Sequence, residues 1–165
     1  MYTLSIANQK GGVGKTTIAV SVAAGLALRG MNILLIYLDC QPNATHWALP
    51  DRDESTIDMA EVLKSENDLV DVIERSPMGF DVAPASQYLT DVPYHFAHRN
   101  ENDRGLPVLK QKIDELHSSH SNPPYDYILV DCPPTMGSLV LSALTASDGV
   151  LIPVQVEAMS LYGLR

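Results

Sequence analysis

A ten-residue stretch near the start of the chain, Asn8-Gln9-Lys10-Gly11-Gly12-Val13-Gly14-Lys15-Thr16-Thr17, restricts the fold more than any other feature. Before it lies Thr3-Leu4-Ser5-Ile6-Ala7, which reads as a buried strand, and after it Ile18 to Leu28, which reads as a helix. A glycine-rich loop between strand and helix that closes on Gly-Lys-Thr is the arrangement that cradles phosphate. Glycines let backbone N–H groups turn inward with no Cβ in the way. The helix N-terminus adds unpaired N–H groups and the positive end of its dipole. In that arrangement Lys15 reaches the β- and γ-phosphates and the Thr16 hydroxyl ligates magnesium. The general pattern is G-x-x-x-x-G-K-S/T. Its first glycine falls on Gln9, and a second lysine, Lys10, precedes the glycine pair.

The rest of the chain reads as alternating strands and helices. Residues 2–8 form the first strand and residues 16–29 the first helix, apolar on most faces, with Gly30 as its stop. Ile33 to Leu38 is a continuous apolar run between Asn32 and Asp39, the signature of a parallel strand covered on both faces. Strand, helix and strand in that order make a βαβ unit with a right-handed crossover. Gln41-Pro42-Asn43 breaks the chain, and Trp47 falls in the loop that follows. Ser55-x-x-Asp58 caps a short helix carrying Ile57, Met59, Val62 and Leu63. Phe80 to Ala83 reads as a strand, and residues 86–105 carry no clear period.

Leu106, Leu109, Ile113 and Leu116 are spaced three, four and three, a helix stripe with Pro107 in the first turn. Tyr127 to Val130 is another buried strand ending in Asp131, followed by a loop at residues 132–137. Leu139 to Ala146 is an apolar helix, Gly149 to Val154 a strand, and Ala158 to Arg165 the start of a further helix. No composition break divides residues 1–165, so one doubly wound α/β domain with a mainly parallel sheet is expected.

Composition excludes some classes. With 45% hydrophobic and 19% charged residues the chain reads as an ordinary globule, not a disordered one. A net charge of −9 argues against nucleic-acid binding by the surface as a whole and leaves room for a local basic patch. Cys40 and Cys132 have no zinc-type or C-x-x-C spacing, which points to a reduced, cytosolic protein. No basic leader precedes the first strand, and Ile18 to Leu28 falls short of the roughly 20 apolar residues of a membrane span.

In a parallel α/β sheet the ligand site gathers at the carboxyl ends of the strands. Three stretches end there: the glycine loop, Leu38-Asp39-Cys40-Gln41, and Val130-Asp131-Cys132-Pro133-Pro134. Four apolar residues followed by Asp131 have the form of a Walker B strand, whose aspartate holds magnesium through water.

Lys10 beside an otherwise ordinary phosphate loop resembles the deviant Walker A of the ParA/MinD family of ATPases. Nearly the whole chain is similar to ParA-type (Soj-like) partition ATPases. The motifs that carry the likeness are Asn8 to Thr17, Leu38-Asp39-x-Gln41-x-Asn43-Ala44-Thr45, Tyr125 to Pro134, and Val150-Leu151-Ile152-Pro153-Val154-Gln155. The resemblance implies a P-loop NTPase fold, a mainly parallel sheet with helices on both faces in three layers. It also implies ATP and Mg²⁺ as ligands, face-to-face dimerisation around two nucleotides, non-specific DNA binding by the dimer, and a ParB-like partner that stimulates hydrolysis.

It implies roles for single residues too. Gly11, Gly12, Val13 and Gly14 wrap the phosphates, Lys15 is the loop lysine, Thr16 the magnesium ligand, and Thr17 an α-phosphate contact. Lys10 reaches the nucleotide of the other subunit, as an arginine finger does. Asp39 positions the attacking water, Asp131 takes the Walker B place, and Pro153, Val154 and Gln155 lie near the adenine.

Plainer readings stand beside these. Asp39 alone reads as a turn cap, and Lys10 as a solvent-facing lysine; next to a phosphate loop the functional readings are preferred. Cys40 and Cys132 are more simply two buried thiols than a metal or cluster site. His95-x-x-His98 and His117-x-x-His120 have helix-compatible metal spacing but no completing carboxylate or cysteine pattern, and the second pair suits a helix C-terminus. Trp47 reads as loop packing before it reads as a contact.

The sequence departs from the family pattern at three places. Tyr37 stands where relatives carry the first aspartate of Asp-x-Asp, and Cys40 and Pro42 stand where they carry proline and glycine. The sequence ends at Arg165, whereas relatives continue into the part that completes the adenine pocket and carries basic DNA-contacting residues. It is therefore read as C-terminally shortened, and whether as a short gene or a fragment is open. The leading expectation is a cytoplasmic ATPase of plasmid or chromosome partitioning, nucleoid-associated if DNA binding is retained, with no membrane attachment. The alternatives are a nucleotide-binding regulator with weak or no turnover, a MinD-like positioning ATPase, an iron-protein-like electron carrier, and a GTP-binding relative.

Overall fold

The computed structural model describes residues 1–53, 57–98, 106–119 and 124–155, with the backbone alone at 42–44. In chain order it forms β1 (Tyr2–Ile6), α1 (Lys15–Ala27), β2 (Ile33–Tyr37), α2 (Pro42–Ala48), α3 (Met59–Lys64), a 3-10 turn (Leu69–Val72), β3 (Glu74–Arg75) and β4 (Asp81–Ala83). A second 3-10 turn (Gln87–Asp91), α4 (Val92–Ala97), α5 (Val108–Ser118), β5 (Tyr127–Asp131), α6 (Ser138–Ala146) and β6 (Gly149–Leu151) follow. The six strands make one sheet in the order β3-β4-β2-β5-β1-β6. Every pairing is parallel except that of β3 with β4.

Burial explains which strands are central. Ile33 through Leu38 are at most 1% exposed, as a run apolar on both faces requires. β5 lies between β2 and β1 and buries Ile128, Leu129 and Val130. Helix α1 packs on β1, β2 and β5, while α3, α4, α5 and α6 pack on one another and α6 reaches β1. The chain runs from β1 to β2 in one direction along the sheet and from β5 to β6 in the other. Right-handed crossovers then place α1 and α6 on opposite faces, which gives the three layers.

Register sets the height of the site. Ile6 pairs with Asp131 and Tyr37 pairs with Asp131, so three strands end at one level. Two further bonds extend that level: the Leu38 N–H donates to Asp131 O at 3.0 Å and the Cys132 N–H to Ile6 O at 3.1 Å. Strand β1 buries two polar residues on its way there, Thr3 and Ser5. The Thr3 N–H donates to Asp148 Oδ2 at 2.7 Å, and the Ser5 and Ser147 hydroxyls bond at 2.6 Å, which anchors the turn before β6.

Several element limits differ from the sequence reading. Strands β1, β2 and β6 are shorter, because the residues after them turn into loops that serve the site. Helix α1 buries only the stripe of Lys15, Ala19, Val20 and Ala23, and Leu28 stands exposed, so its apolar character exceeds what the sheet covers. Gly30 ends that helix at φ 83°, the left-handed conformation glycine adopts without a Cβ clash.

The cap of α3 is Asp58, not Ser55, which lies outside the described residues. Asp58 accepts from the Ala60 N–H, and Glu61 reaches back to the Asp58 N–H. Ile57 precedes this helix and is exposed. Trp47 sits on α2 and is exposed, rather than packed in a loop; Pro42 opens that helix at N1, where proline is tolerated. Pro107 precedes α5 as its cap residue, and Val108, Leu109, Ile113 and Leu116 form the buried stripe. The expected helix from Ala158 lies outside the described residues. Among the described residues no helix is long and apolar enough to cross a membrane.

Leu35 lies at the centre of β2 and is fully buried. Leu35→Ala is expected to lower unfolding free energy by about 2–5 kcal/mol, read as a shift of the urea midpoint at constant slope. A loss below about 1 kcal/mol would show that the strand is less tightly packed than its burial indicates.

Candidate functional site

The three strands that end level at Ile6, Asp131 and Tyr37 open a crevice at the point where the chain turns to both sides of the sheet. The glycine loop rises from β1 into this crevice and delivers α1. Gly12 has φ 73° and Gly14 φ 89°, a region L-residues avoid, so both turns need glycine. Gly14 is the cap residue of α1, no side chain caps that helix, and no acidic residue lies in its first turn. The first N–H groups of α1 therefore meet no built-in anion, and they form a receptor for one. Val13 is buried and pins the loop, while Gly11, Gly12 and Thr17 are exposed.

Lys15 and Thr16 point from the start of α1 toward the end of β5. Lys15 is only 7% exposed. Thr16 donates its hydroxyl to Asp131 Oδ2 at 2.6 Å. Asp131 is fully buried, and its Oδ1 has no hydrogen-bond partner. Burial raises its carboxyl to about 6, with the nearby Asp39 charge adding to the rise; the Thr16 bond and the Lys15 charge oppose it. A hydroxyl and a buried carboxylate with a spare oxygen suit a hard divalent cation such as magnesium, which takes one or two protein carboxylates and fills its shell with water and phosphate. Among the described residues, no group of three or more His, Cys, Asp or Glu could hold a metal.

Asp39 lies two residues beyond Tyr37, at the mouth of the crevice. Its Oδ1 accepts the Gln41 N–H at 3.1 Å, so the turn cap foreseen as the plainer role is present. Its charge is nevertheless felt by Asp131, which places it at the same site. Tyr37 is fully buried, and its hydroxyl has no partner. Burial first, and then the Asp131 charge, push its phenol far above the ordinary tyrosine value. Cys132, the next residue after Asp131, is raised to about 12, chiefly by burial, which makes it an inert thiol.

The segment after β6 closes the other wall. Asn8 donates from Nδ2 to Pro153 O at 2.7 Å, and its Oδ1 accepts the Lys10 N–H at 2.9 Å. Gln155 donates to Gly12 O at 3.1 Å and accepts from Lys10 Nζ at 3.2 Å. Pro153 is buried and Val154 exposed. The structure thus brings Lys10, the glycine loop, Lys15, Thr16, Asp39, Asp131 and residues 153–155 to one end of the sheet. The clamping role of Asn8 was not singled out in the sequence, although an asparagine at a loop entrance is the residue type that bonds backbone two positions on.

Other candidates fall away from this site. His98 Nδ1 donates to Tyr94 O at 2.8 Å, and the Tyr94 and His98 rings lie 4.0 Å apart, tilted by 39°, so His98 bonds within its own turn. His117 lies in the last turn of α5, as the dipole reading expects, and His120 lies outside the described residues. Cys40 and Cys132 are both unpaired thiols. A separate cavity of about 150 Å³ lies between α2 and the turn after β4, walled by Thr45, His46, Arg52, Ser86 and Tyr88 among others. The Arg52 guanidinium there is held by Glu74 at 2.8 Å and by Ile57 O at 2.9 Å.

A strand, a glycine loop with left-handed turns, an uncapped helix and a buried aspartate bonded to the loop threonine define a P-loop NTPase fold. Comparison with known proteins agrees. The AAA domain family matches residues 1–165. The chain is 40% identical over 165 residues to an uncharacterised protein of Pseudomonas putida, covering 97% of this chain and 58% of that one. It is 37% identical over 165 residues to the chromosome partitioning protein ParA of Caulobacter vibrioides, covering 99% and 60%. Among solved structures, cobyrinic acid a,c-diamide synthase from Mycobacterium smegmatis, with bound ATP analog and magnesium, superposes with a TM-score of 0.87 at 31% identity, covering 97% and 62%. The chain belongs to this AAA domain family, and within it to the ParA/MinD type with the deviant Walker A. It spans about 60% of the length of the ParA relative it matches.

The raised carboxyl of Asp131 has a stability consequence in the ligand-free chain. The folded group binds its proton more tightly than the unfolded one, so its contribution is neutral below the unfolded value of 3.8 and turns destabilising as pH rises toward about 6. Asp131→Asn is expected to stabilise the nucleotide- and metal-free protein by about 1–3 kcal/mol near neutral pH, a gain that disappears below about pH 4. Urea melts across that range check it; a loss of stability at neutral pH would show that the carboxylate is better paired than its burial implies.

Proposed function

We propose that this chain is the nucleotide-binding part of a ParA-type partition ATPase. It binds Mg-ATP in the crevice between the glycine loop and Asp131, pairs with a second copy when ATP is bound, and hydrolyses the γ-phosphate. The observation that carries this reading is the 2.6 Å bond from Thr16 to a fully buried Asp131, directly beneath an uncapped helix N-terminus. Oxygen ligands for a cation and N–H donors for an anion are then side by side, as Mg-triphosphate requires.

Each group has a task in this reading. The N–H groups of Gly11, Gly12, Val13 and Gly14 wrap the β- and γ-phosphates, and Thr17 contacts the α-phosphate. Lys15 neutralises oxygens at the β–γ bridge, where charge builds as the bond breaks. Thr16 would hold magnesium directly and Asp131 through water. The ion, when bound, offsets the charge of the phosphate oxygens. Asp39 orients the attacking water in line with the leaving oxygen; its bond to the Gln41 N–H fixes the carboxylate in place. Lys10 leaves its own loop and meets the nucleotide of the second copy. Pro153, Val154 and Gln155 flank the adenine.

The similarity to a chromosome partitioning ParA supports a role in moving plasmid or chromosomal DNA in the cytoplasm, with a ParB-like protein stimulating turnover. Non-specific DNA binding by the dimer belongs to the same proposal. With a net charge of −9, that contact needs a basic patch rather than the general surface.

Two substitutions separate the steps. Lys15→Ala is expected to abolish measurable ATP binding, a loss on the order of 100-fold or more. Lys10→Ala is expected to keep ATP binding and lose the ATP-dependent dimer, followed by light scattering. Equal dimerisation of wild type and Lys10→Ala with ATP would falsify the exchange of Lys10 between subunits.

A further inference from the structure

Two buried polar atoms at the site have no partner: the Tyr37 hydroxyl and Asp131 Oδ1. Both residues are at 0% exposure. They are register partners on adjacent parallel strands, so their side chains leave the same face of the sheet. One is a hydroxyl donor and the other a carboxylate acceptor. The second carboxylate oxygen is already taken by Thr16. Buried polar atoms are nearly always satisfied, and a donor and an acceptor that make no direct bond are commonly joined by one ordered water.

We propose that Tyr37 is a positioning residue for the phosphate-and-metal site. Its hydroxyl donates to one buried water that in turn donates to Asp131 Oδ1, and this bridge holds the carboxylate with Oδ2 turned toward Thr16. This role rests on the reading of Thr16 and Asp131 as the residues that hold magnesium. With the Thr16 oxygen turned to a cation, its bond to Asp131 would weaken, and the Tyr37 bridge would keep the carboxylate aimed. A second aspartate at this place would repel Asp131; a phenol attracts it. As a neutral donor, Tyr37 supports the aspartate from behind, in the way outer partners orient metal-binding groups.

The test uses a fluorescent ATP analogue bound to the full chain and titrated with magnesium. In the wild type, magnesium is expected to tighten binding. Tyr37→Phe, which removes only the hydroxyl, is expected to raise the half-saturating magnesium concentration about tenfold and leave magnesium-free binding unchanged. In an Asp131→Ala background the same change is expected to have no further effect. An unchanged magnesium response in Tyr37→Phe overturns the role, and so does an equal loss of magnesium-free binding. If the wild type itself shows no magnesium-dependent binding, the reading of the site has failed and this role falls with it.

A second measurement does not depend on the folding of Tyr37→Phe. The C–O stretch of a tyrosine isotope-labelled at position 37 alone is expected to shift in Asp131→Ala. An unshifted band also overturns the role.

Discussion

Thr16 donates its hydroxyl hydrogen to Asp131 across 2.6 Å, and this bond ties the start of α1 to the end of β5. The rest of the site is arranged around it. Register brings Ile6, Asp131 and Tyr37 to one level, so the glycine loop, the buried aspartate and the turn holding Asp39 leave the sheet together. The bond also fixes how α1 meets the sheet, with its uncapped N–H groups facing the crevice. Lys15, buried beside it, adds the positive charge that keeps an acid in so apolar a place partly tolerable.

The same bond is insufficient payment for burying a carboxylate. Asp131 keeps an oxygen with no direct protein partner and a carboxyl raised to about 6. A site left in this condition gains from a cation, which would meet the aspartate and the threonine at once. Opposite it, Asn8 and Gln155 hold the segment after β6 against the loop through Pro153 O and Gly12 O. The Lys10 contact with Gln155 belongs to this wall.

Much of this was legible in the sequence because it follows from local spacing. Gly12 and Gly14 announce positive φ, Ile33 to Leu38 announces a doubly covered strand, and an apolar run ending in Asp131 announces a carboxylate at a strand end. What was not legible depends on partners distant in sequence. Asp58 capping α3 was hidden by the nearby Ser55, since both suit an N-cap. The two-residue β3 is too short for any period to reveal. The clamp of Asn8 on Pro153 spans 145 positions, and nothing local marks its acceptor. Tyr37 reads as the loss of a carboxylate; only the register shows that its side chain leaves the same face of the sheet as Asp131.

The central claim is that Thr16, Asp131 and the glycine loop form one site for nucleotide and cation together. Isothermal titration calorimetry of the chain with ATP, with and without magnesium, tests it most directly. The account predicts a single nucleotide per chain and binding that magnesium strengthens. Absence of binding, or binding indifferent to magnesium, would contradict it.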